Sequence, residues 1–363
     1  MKTKSITFLI TIWNWNFHGR LSDAFVPSGR NVNLNSRCHL LDHDQRLHYH
    51  QLSKSSTNNE IDYKEILIMV NGMPGPMATA AAEACLRKGL SLSPIAMTGP
   101  DVPPSTITVS DPISGKSSNV RLIPSIDVEE IESSIEGIRA GLQELNSNSN
   151  AKLLAIDYTH PSAVNSNAKF YAEQRIPFVM GTTGGDREQL MSDMKDMKAY
   201  AVIAPNMAKQ IVAMQAALED LATKYPNAFG GYKLTVTESH QKKKADTSGT
   251  AKAVVDSIKI LNGETDYTYE DIHMIRDDQG SLDFGVKEEY VTTGHAFHTY
   301  SLKSPDDTVE FQLRHNVSGR TVYAEGTADA VKFLAKKVAQ SNLDDYNGKV
   351  FSMINVLEEG GLE

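Results

Sequence analysis

The chain holds only two cysteines in 363 residues, Cys38 and Cys85. Cys38 lies in a polar N-terminal tract unlike the rest, so the body keeps one thiol. One thiol excludes an internal disulfide, and no Cys pair has zinc-site spacing. Cys85 falls inside the helical pattern AAAEACLRKG, where a small buried filler is expected rather than a nucleophile. No run reaches the roughly 20 apolar residues that a bilayer span needs. Positive charge is scarce as well, with 36 Lys+Arg against 45 Asp+Glu and a net charge of -9. The first sixty residues carry seven basic and four acidic groups, which leaves the remainder at -12. A body this acidic excludes general nucleic-acid binding, because phosphates must be met by clustered positive charge. An anionic ligand therefore needs a local basic cluster or a helix terminus. Internal repeats are absent, and the length allows two domains.

The N-terminus reads as an address. Lys2 and Lys4 precede the short apolar run Ile6–Phe17, and small residues at Ser22 and Ala24 suit cleavage before Phe25. This is signal-peptide anatomy. The tract from Pro27 to Asn59 is rich in Ser, Asn, His and Arg and has no periodicity. A signal peptide, a Phe after the cleavage site and a transit-like tract resemble the bipartite plastid presequence of diatoms and related algae. The expectation is a nuclear-encoded protein of the plastid stroma; a secreted protein with a polar leader is the other reading.

Beyond residue 60 the chain alternates strands and helices. Strands are expected at Lys64–Val70, Leu92–Met97, Thr106–Ile113, Asn119–Ile123, Leu153–Tyr158, Pro177–Met180 and Tyr200–Ala204. Helices are expected at Ala78–Lys88, Val128–Leu145 and Ser162–Gln174. Asp186 with Gln189 is suited to a capping box, and Asn206 to capping a long helix that ends near Lys224. Such alternation predicts a parallel sheet covered by helices. The pattern then changes. Tyr232–Glu238 alternates as a half-exposed strand, Ser248–Leu261 reads as a helix, and Asp271–Arg276 as a strand. Phe297–Leu302 and Thr308–His315 read as a hairpin. Helices at Ala328–Ser341 and near Lys349–Leu357 close the chain. The expected fold is α/β: a Rossmann-type doubly wound parallel sheet with an inserted α+β substrate domain built on an open mixed sheet.

Three motifs carry chemistry. Gly72-x-x-Gly75 follows the first strand and precedes the first helix, where glycines admit a pyrophosphate and the helix supplies N–H donors. An ordinary tight turn reads equally well. Gly181-Thr182-Thr183-Gly184 follows a later strand, at the crevice end of such a sheet; the plainer reading is a connecting loop. The third is Glu238–Ala251, ESHQKKKADTSGTA. Here the amides of Gly249 and Thr250 open a helix as an anion site, and Lys244 is within reach of the same anion. His240 has an ordinary pKa near neutrality and is suited to donating a proton. Lys242 and Lys243 read as solvated.

On these residues the chain resembles the dihydrodipicolinate reductase family, and especially its plant-type branch. His240, Lys244, Asp246 and Ser248–Ala251 match the family signature. Further matches are Asp157-Tyr158-Thr159, Val179–Asp186, Gly294–His298, His315–Arg320 and Tyr323–Gly326. The resemblance covers the chain from about residue 64 to its end. Gln241 and Thr247 stand where bacterial members have a His and a Pro, and Pro76 replaces a basic residue of the nucleotide loop. Met97-Thr98-Gly99 supply no acid for a ribose hydroxyl.

The resemblance implies a presequence over 1–60, a dinucleotide domain over 61–206 and 325–363, and a substrate and oligomerisation domain over 207–324. It implies reduction of 4-hydroxy-tetrahydrodipicolinate to tetrahydrodipicolinate with loss of water, in lysine biosynthesis by the diaminopimelate route. His240 is implied as proton donor, with Lys244 as carboxylate partner and sharer of the proton role. Ser248, Gly249 and Thr250 are implied to hold a carboxylate. Gly72, Gly75, Met77, Gly181, Thr183 and Asn206 are implied to contact NADPH, with NADH as the alternative cofactor. The implied partners are a small dicarboxylate and further copies of the chain, in a dimer or tetramer. Neither nucleic acid nor a membrane is expected for the mature form, and no metal ligand is singled out. Two rival readings remain: a silent dinucleotide-binding regulator, and another two-domain dehydrogenase such as a semialdehyde dehydrogenase, which would need an active-site Cys.

Overall fold

Strand β1 (Ile66–Asn71) is apolar on both faces, and the reason is its position inside a sheet. Ile66, Ile68 and Val70 point into one core and Met69 into another, the period-2 alternation of a strand buried on both sides. The computed structural model describes residues 66–145, 152–263, 266–340 and 348–359, which belong to one compact unit. The expected leader lies outside the described residues.

Five further strands join β1: β2 (Ser91–Leu92), β6 (Lys152–Asp157), β7 (Phe178–Met180), β8 (Ala201–Ile203) and β13 (Val350–Phe351). Their order is β13-β8-β7-β6-β1-β2, and every ladder is parallel. Helices α1 (Pro76–Arg87), α9 (Thr321–Gln340) and α10 (Met353–Glu358) pack on one face. Helices α2 (Val128–Leu145), α3 (Val164–Glu173) and α4 (Arg187–Asp196) pack on the other. This is a doubly wound sheet. The chain leaves it after β8 and returns through α9, β13 and α10 to complete it.

The second sheet has the order β10-β9-β11-β12 and is mixed. It comprises β9 (Lys233–His240), β10 (His273–Ile275), β11 (His295–Lys303) and β12 (Glu310–Ser318). The pair β9–β10 is parallel, whereas β9–β11 and β11–β12 are antiparallel. Helix α6 (Gly249–Asn262), stopped by Gly263 in the left-handed region, buries Val254, Val255 and Ile258 against Leu234, Val236, Tyr300 and Leu302. Lys233, Thr235 and Lys303 lie exposed on the sheet. Helix α5 (Lys209–Lys224) leads from the first sheet to the second. Among the described residues no helix is long and apolar enough to cross a membrane.

Several elements differ from expectation. The apolar stretch Leu92–Met97 is broken at Ser93-Pro94: β2 ends there, and β3 (Ile95–Thr98) pairs with β5 (Ser117–Pro124) instead. Strand β4 (Ser105–Ser110) pairs antiparallel with β5. Proline has no N–H to donate to a ladder, so the run does not continue as one strand. Lys349–Leu357 is a strand followed by a helix, with Ser352 as a reciprocal cap that restarts the chain as α10. Helix α9 begins at Thr321, seven residues before the expected Ala328. Two short helices were not foreseen, α7 (Asp278–Asp283) and α8 (Glu288–Thr293). Asp186 does cap α4 through the Gln189 amide, but the Gln189 side chain turns to Asp193, so the box is only half made.

Candidate active site

The C-terminal ends of β1 and β6 lie side by side, with Asn71 opposite Asp157. This is where the strand order reverses, and ligands of such sheets bind outside that crevice. Gly72 turns the chain with φ +99, and a Cβ there would collide with the Tyr158 carbonyl. The Gly75 amide donates to the Gly72 carbonyl at 2.9 Å, and the first intrahelical bond of α1 runs from Thr79 to Gly75. The amides of Met77 and Ala78 precede that bond, in the position where helix N-termini receive phosphate. Met77 itself packs partly against the core.

Beneath the crevice sits a buried polar network centred on Asp157. Its carboxylate accepts from the Tyr171 hydroxyl at 2.7 Å, Asn167 at 3.0 Å, the Thr159 hydroxyl at 2.8 Å and the Thr182 hydroxyl at 2.9 Å. Asn71 donates to Tyr171 and accepts from the Met97 amide. These bonds tie together the ends of β1, β3, β6 and β7. Gly181 is needed because a Cβ would strike the Tyr158 ring. Thr183 is exposed on the same lip. Asn206 does not cap α5 in the expected way. It accepts from the Ala208 amide at 2.9 Å and donates to the Thr250 hydroxyl at 3.2 Å, which ties the β8 end to the N-terminus of α6.

His240 is the last residue of β9 rather than a loop residue. Glu238, two positions earlier, shares its face of the strand. The cross-strand partner of Glu238 is His298, and that of His298 is His315. The Nε2 atoms of His240 and His298 are 3.3 Å apart, and Glu238 Oε2 lies 4.0 and 3.6 Å from them. Glu238 is fully buried. It accepts from the Ser248 amide at 3.1 Å and from the Arg276 guanidinium. Burial works against its charge, but the bonds from His298 and Arg276 prevail and hold its pKa at about 2. On the opposite face of β9, Ser239 bonds His295 and Ser281, which anchors the strand to α7.

The imidazole of His240 departs from expectation. Burial, reinforced by the neighbouring His298 charge, pushes its pKa down to about 3. It is therefore neutral at pH 7. Lys244 is half-buried and pairs with the exposed Asp246 at 2.9 Å, while Lys242 and Lys243 are exposed, as expected of solvated side chains. Ser248 is the N-cap of α6, and its amide is already taken by Glu238; Gly249 and Thr250 follow at the helix mouth. Gln241 and the Arg320 guanidinium flank Gly294 nearby.

Glu238, His240 and His298 place three ligand-type atoms within 4.8 Å of one another. Arg276 already holds the carboxylate, and its positive charge opposes a divalent cation there. Sequence reading did not single out Glu238, Arg276 or His298 as site residues. The one available signal was the Glu-x-His alternation on the strand that ends at His240.

A doubly wound sheet with a glycine turn at its switch point, coupled to a mixed sheet bearing His240 and Lys244 beside a helix mouth, defines a two-part oxidoreductase. Residues 66–207 match the family model "Dihydrodipicolinate reductase, N-terminus", and residues 210–357 match "Dihydrodipicolinate reductase, C-terminus". The chain belongs to the dihydrodipicolinate reductase family. Among its relatives is the probable 4-hydroxy-tetrahydrodipicolinate reductase 1, chloroplastic, of Oryza sativa subsp. japonica. The two are 43% identical over 296 residues, covering 81% of this chain and 79% of the relative. The 4-hydroxy-tetrahydrodipicolinate reductase 1, chloroplastic, of Arabidopsis thaliana is 42% identical over 298 residues, covering 82% of this chain and 79% of the relative. A solved dihydrodipicolinate reductase of Paenisporosarcina sp. TG-14 gives a TM-score of 0.49 at 18% identity, covering 75% of this chain and 94% of that one.

Proposed function

We propose that this chain reduces 4-hydroxy-tetrahydrodipicolinate to tetrahydrodipicolinate with NAD(P)H, releasing water, in the diaminopimelate route to lysine. The observation that carries this reading is the network in which Arg276 and Glu238 tie the Lys244 loop and the α6 mouth to the strand that ends at His240, in a chain 43% identical to a relative named for that activity. Residues 61–206 and 325–363 serve as the dinucleotide domain, and residues 207–324 as the substrate and assembly domain. The Gly72–Gly75 turn and the Met77 amide suit a pyrophosphate, with Gly181, Thr183 and Asn206 along the same crevice. When bound, the dinucleotide supplies the hydride.

The chain's own residues do the rest. The amides of Gly249 and Thr250, with the Ser248 and Thr250 hydroxyls, receive one carboxylate of the substrate. Lys244 exchanges the exposed Asp246 for that carboxylate. The 4-hydroxyl leaves as water together with a proton from the adjacent ring carbon, and hydride addition to the conjugated imine so formed creates an electron-rich nitrogen–carbon system that takes up a proton. His240 delivers it, and Lys244 shares the role. The incoming dianion offsets Arg276 and Lys244, whose charges help keep the imidazole neutral, so the imidazole gains its proton as substrate binds.

The other readings fare less well. A semialdehyde dehydrogenase needs a reactive thiol, and Cys85 is wholly buried in α1 with its pKa pushed up to about 12. A silent regulator has no use for His240 and Lys244 converging on a helix mouth. NADPH is the preferred cofactor on the plant-type resemblance, with NADH also used; β3 ends without an acid for a ribose hydroxyl, and Thr98 turns its own hydroxyl to the Met73 carbonyl. The chain acts in the plastid stroma behind a bipartite presequence, as a dimer or tetramer. Oxidation of NADPH and NADH by the purified protein with freshly made substrate tests the reading; no turnover with either cofactor overturns it.

A further inference from the structure

Arg276 donates four hydrogen bonds around the site. Its Nε donates to the Lys244 carbonyl at 2.7 Å, Nη1 to the Ile275 carbonyl at 3.1 Å and Nη2 to the Asp246 carbonyl at 3.2 Å; Nη2 also pairs with Glu238 Oε1. One guanidinium thus joins the end of β10 to the loop that carries Lys244 and to the carboxylate beneath His240. Glu238 in turn holds the Ser248 amide at the N-cap of α6. The helix mouth therefore contains a resident carboxylate before any substrate arrives.

We propose that Arg276 is a positioning residue of this site: it neutralises the Glu238 carboxylate at the α6 mouth and pins the Lys244 loop. Without it, a buried negative charge faces the place where a substrate carboxylate must enter, and in a desolvated site that repulsion is strong. The loop also loses two of its backbone anchors, and small displacements of a reacting group are costly in rate. Lysine is not equivalent, because one ammonium does not reproduce the planar fork. Arg276 acts through Glu238 and Lys244 rather than by touching substrate. The inference rests on the reading that this site takes a dicarboxylate.

The test compares the full chain with Arg276→Gln, Arg276→Lys and the double variant Arg276→Gln/Glu238→Gln. Five quantities are measured: kcat, KM, the Kd of pyridine-2,6-dicarboxylate by calorimetry, the Kd of NADPH, and Tm. Arg276→Gln is expected to weaken dicarboxylate binding and raise KM by about 10–100-fold, with NADPH affinity unchanged. Adding Glu238→Gln is expected to restore most of the dicarboxylate affinity by removing the repelling charge, while kcat stays low because the loop remains unpinned. Arg276→Lys keeps the charge, so binding stays near native while kcat falls by roughly 100-fold. A purely structural arginine would lower Tm and NADPH affinity in step with activity and would give no recovery in the double variant. A dicarboxylate Kd within twofold of native in Arg276→Gln overturns the proposal, as does a double variant that binds no better than the single one. Should Arg276→Gln fail to fold, a kcat within twofold of native in Arg276→Lys overturns it alone. A native chain that binds the dicarboxylate but never turns over refutes the proposed activity and leaves this inference standing.

Discussion

The Nε2 atoms of His240 and His298 face each other at 3.3 Å across β9 and β11, with the Glu238 carboxylate close to both. Burial and the charges around it drive the His240 imidazole far below its ordinary range, so it carries no proton at pH 7. In His240→Gln, kcat is expected to fall by about 10²–10⁴-fold, the range for loss of a general acid. NADPH affinity is expected to stay unchanged. Steady-state kinetics with a fluorescence titration check this. Retention of more than a tenth of the native turnover assigns the proton to Lys244 or to water.

Three neighbouring lysines give an internal control. Lys244→Ala is expected to lower kcat and raise KM together, because a desolvated substrate carboxylate loses its cation. Lys242→Ala and Lys243→Ala, both exposed, are expected to stay within about twofold of native, as is usual for surface substitutions. If either proves as damaging as Lys244→Ala, the assignment of Lys244 is wrong.

Acid is expected to destabilise the protein earlier than carboxylates alone would. The pKa of His240 is about 3 and that of His315 about 4 in the folded state, against an ordinary 6.5. The unfolded chain therefore binds more protons between these values, and stability is lost as pH falls from 6.5 toward 3. Glu238, at about 2 against 4.5, adds a second loss below pH 4.5 with the same sign. Arg276, Lys244 and His298 are the other charged or titratable groups around His240. Urea unfolding from pH 7 to pH 4 should show a shallower fall for His240→Gln than for native protein. An equal slope would rule out the buried neutral imidazole.

Gly72 is constrained by backbone as well as by ligand. Gly72→Val sets a side chain against the Tyr158 carbonyl at φ +99, so a destabilisation of about 2–4 kcal/mol is expected from strain and overpacking. NADH and NADPH binding should weaken equally. Thermal melts with and without cofactor check it, and an unchanged Tm contradicts the collision.

Residues 1–60 fused to a fluorescent protein are expected to reach the plastid of a diatom cell, and Phe25→Ala to divert the fusion before the stroma. Microscopy decides, and a secreted or cytosolic signal rejects the address.

Local signals were readable where sequence periodicity and burial agree. Val128–Leu145 is a helix over the expected range because its apolar stripe is continuous. The hairpin read from Phe297–Leu302 and Thr308–His315 likewise forms, as β11 paired with β12. Leu92–Met97 failed because hydrophobicity does not reveal which sheet each half joins. The partners of His240 were hidden for another reason. Arg276 and His298 stand 36 and 58 residues beyond it in the numbering, and only the pairing of β9 with β10 and β11 brings them together. The depressed pKa of His240 follows from that packing and not from its neighbours in sequence.

The six-stranded sheet takes one edge strand, β13, and two covering helices, α9 and α10, from the last stretch of the chain. Threaded from its N-terminus through a ribosome or an import pore, the chain delivers β1, β6, β7 and β8 long before those pieces. Until they arrive, Ile68, Leu154, Ile156, Val179 and Val202 have only part of their apolar cover. The crevice end of the molecule is thus begun first and finished last, and the four-stranded sheet can assemble in the interval. Apolar surface left bare during that wait invites aggregation, and removing the final forty residues takes β13 and most of the cover of one face of the first sheet, leaving α1 there and every strand of the second sheet intact.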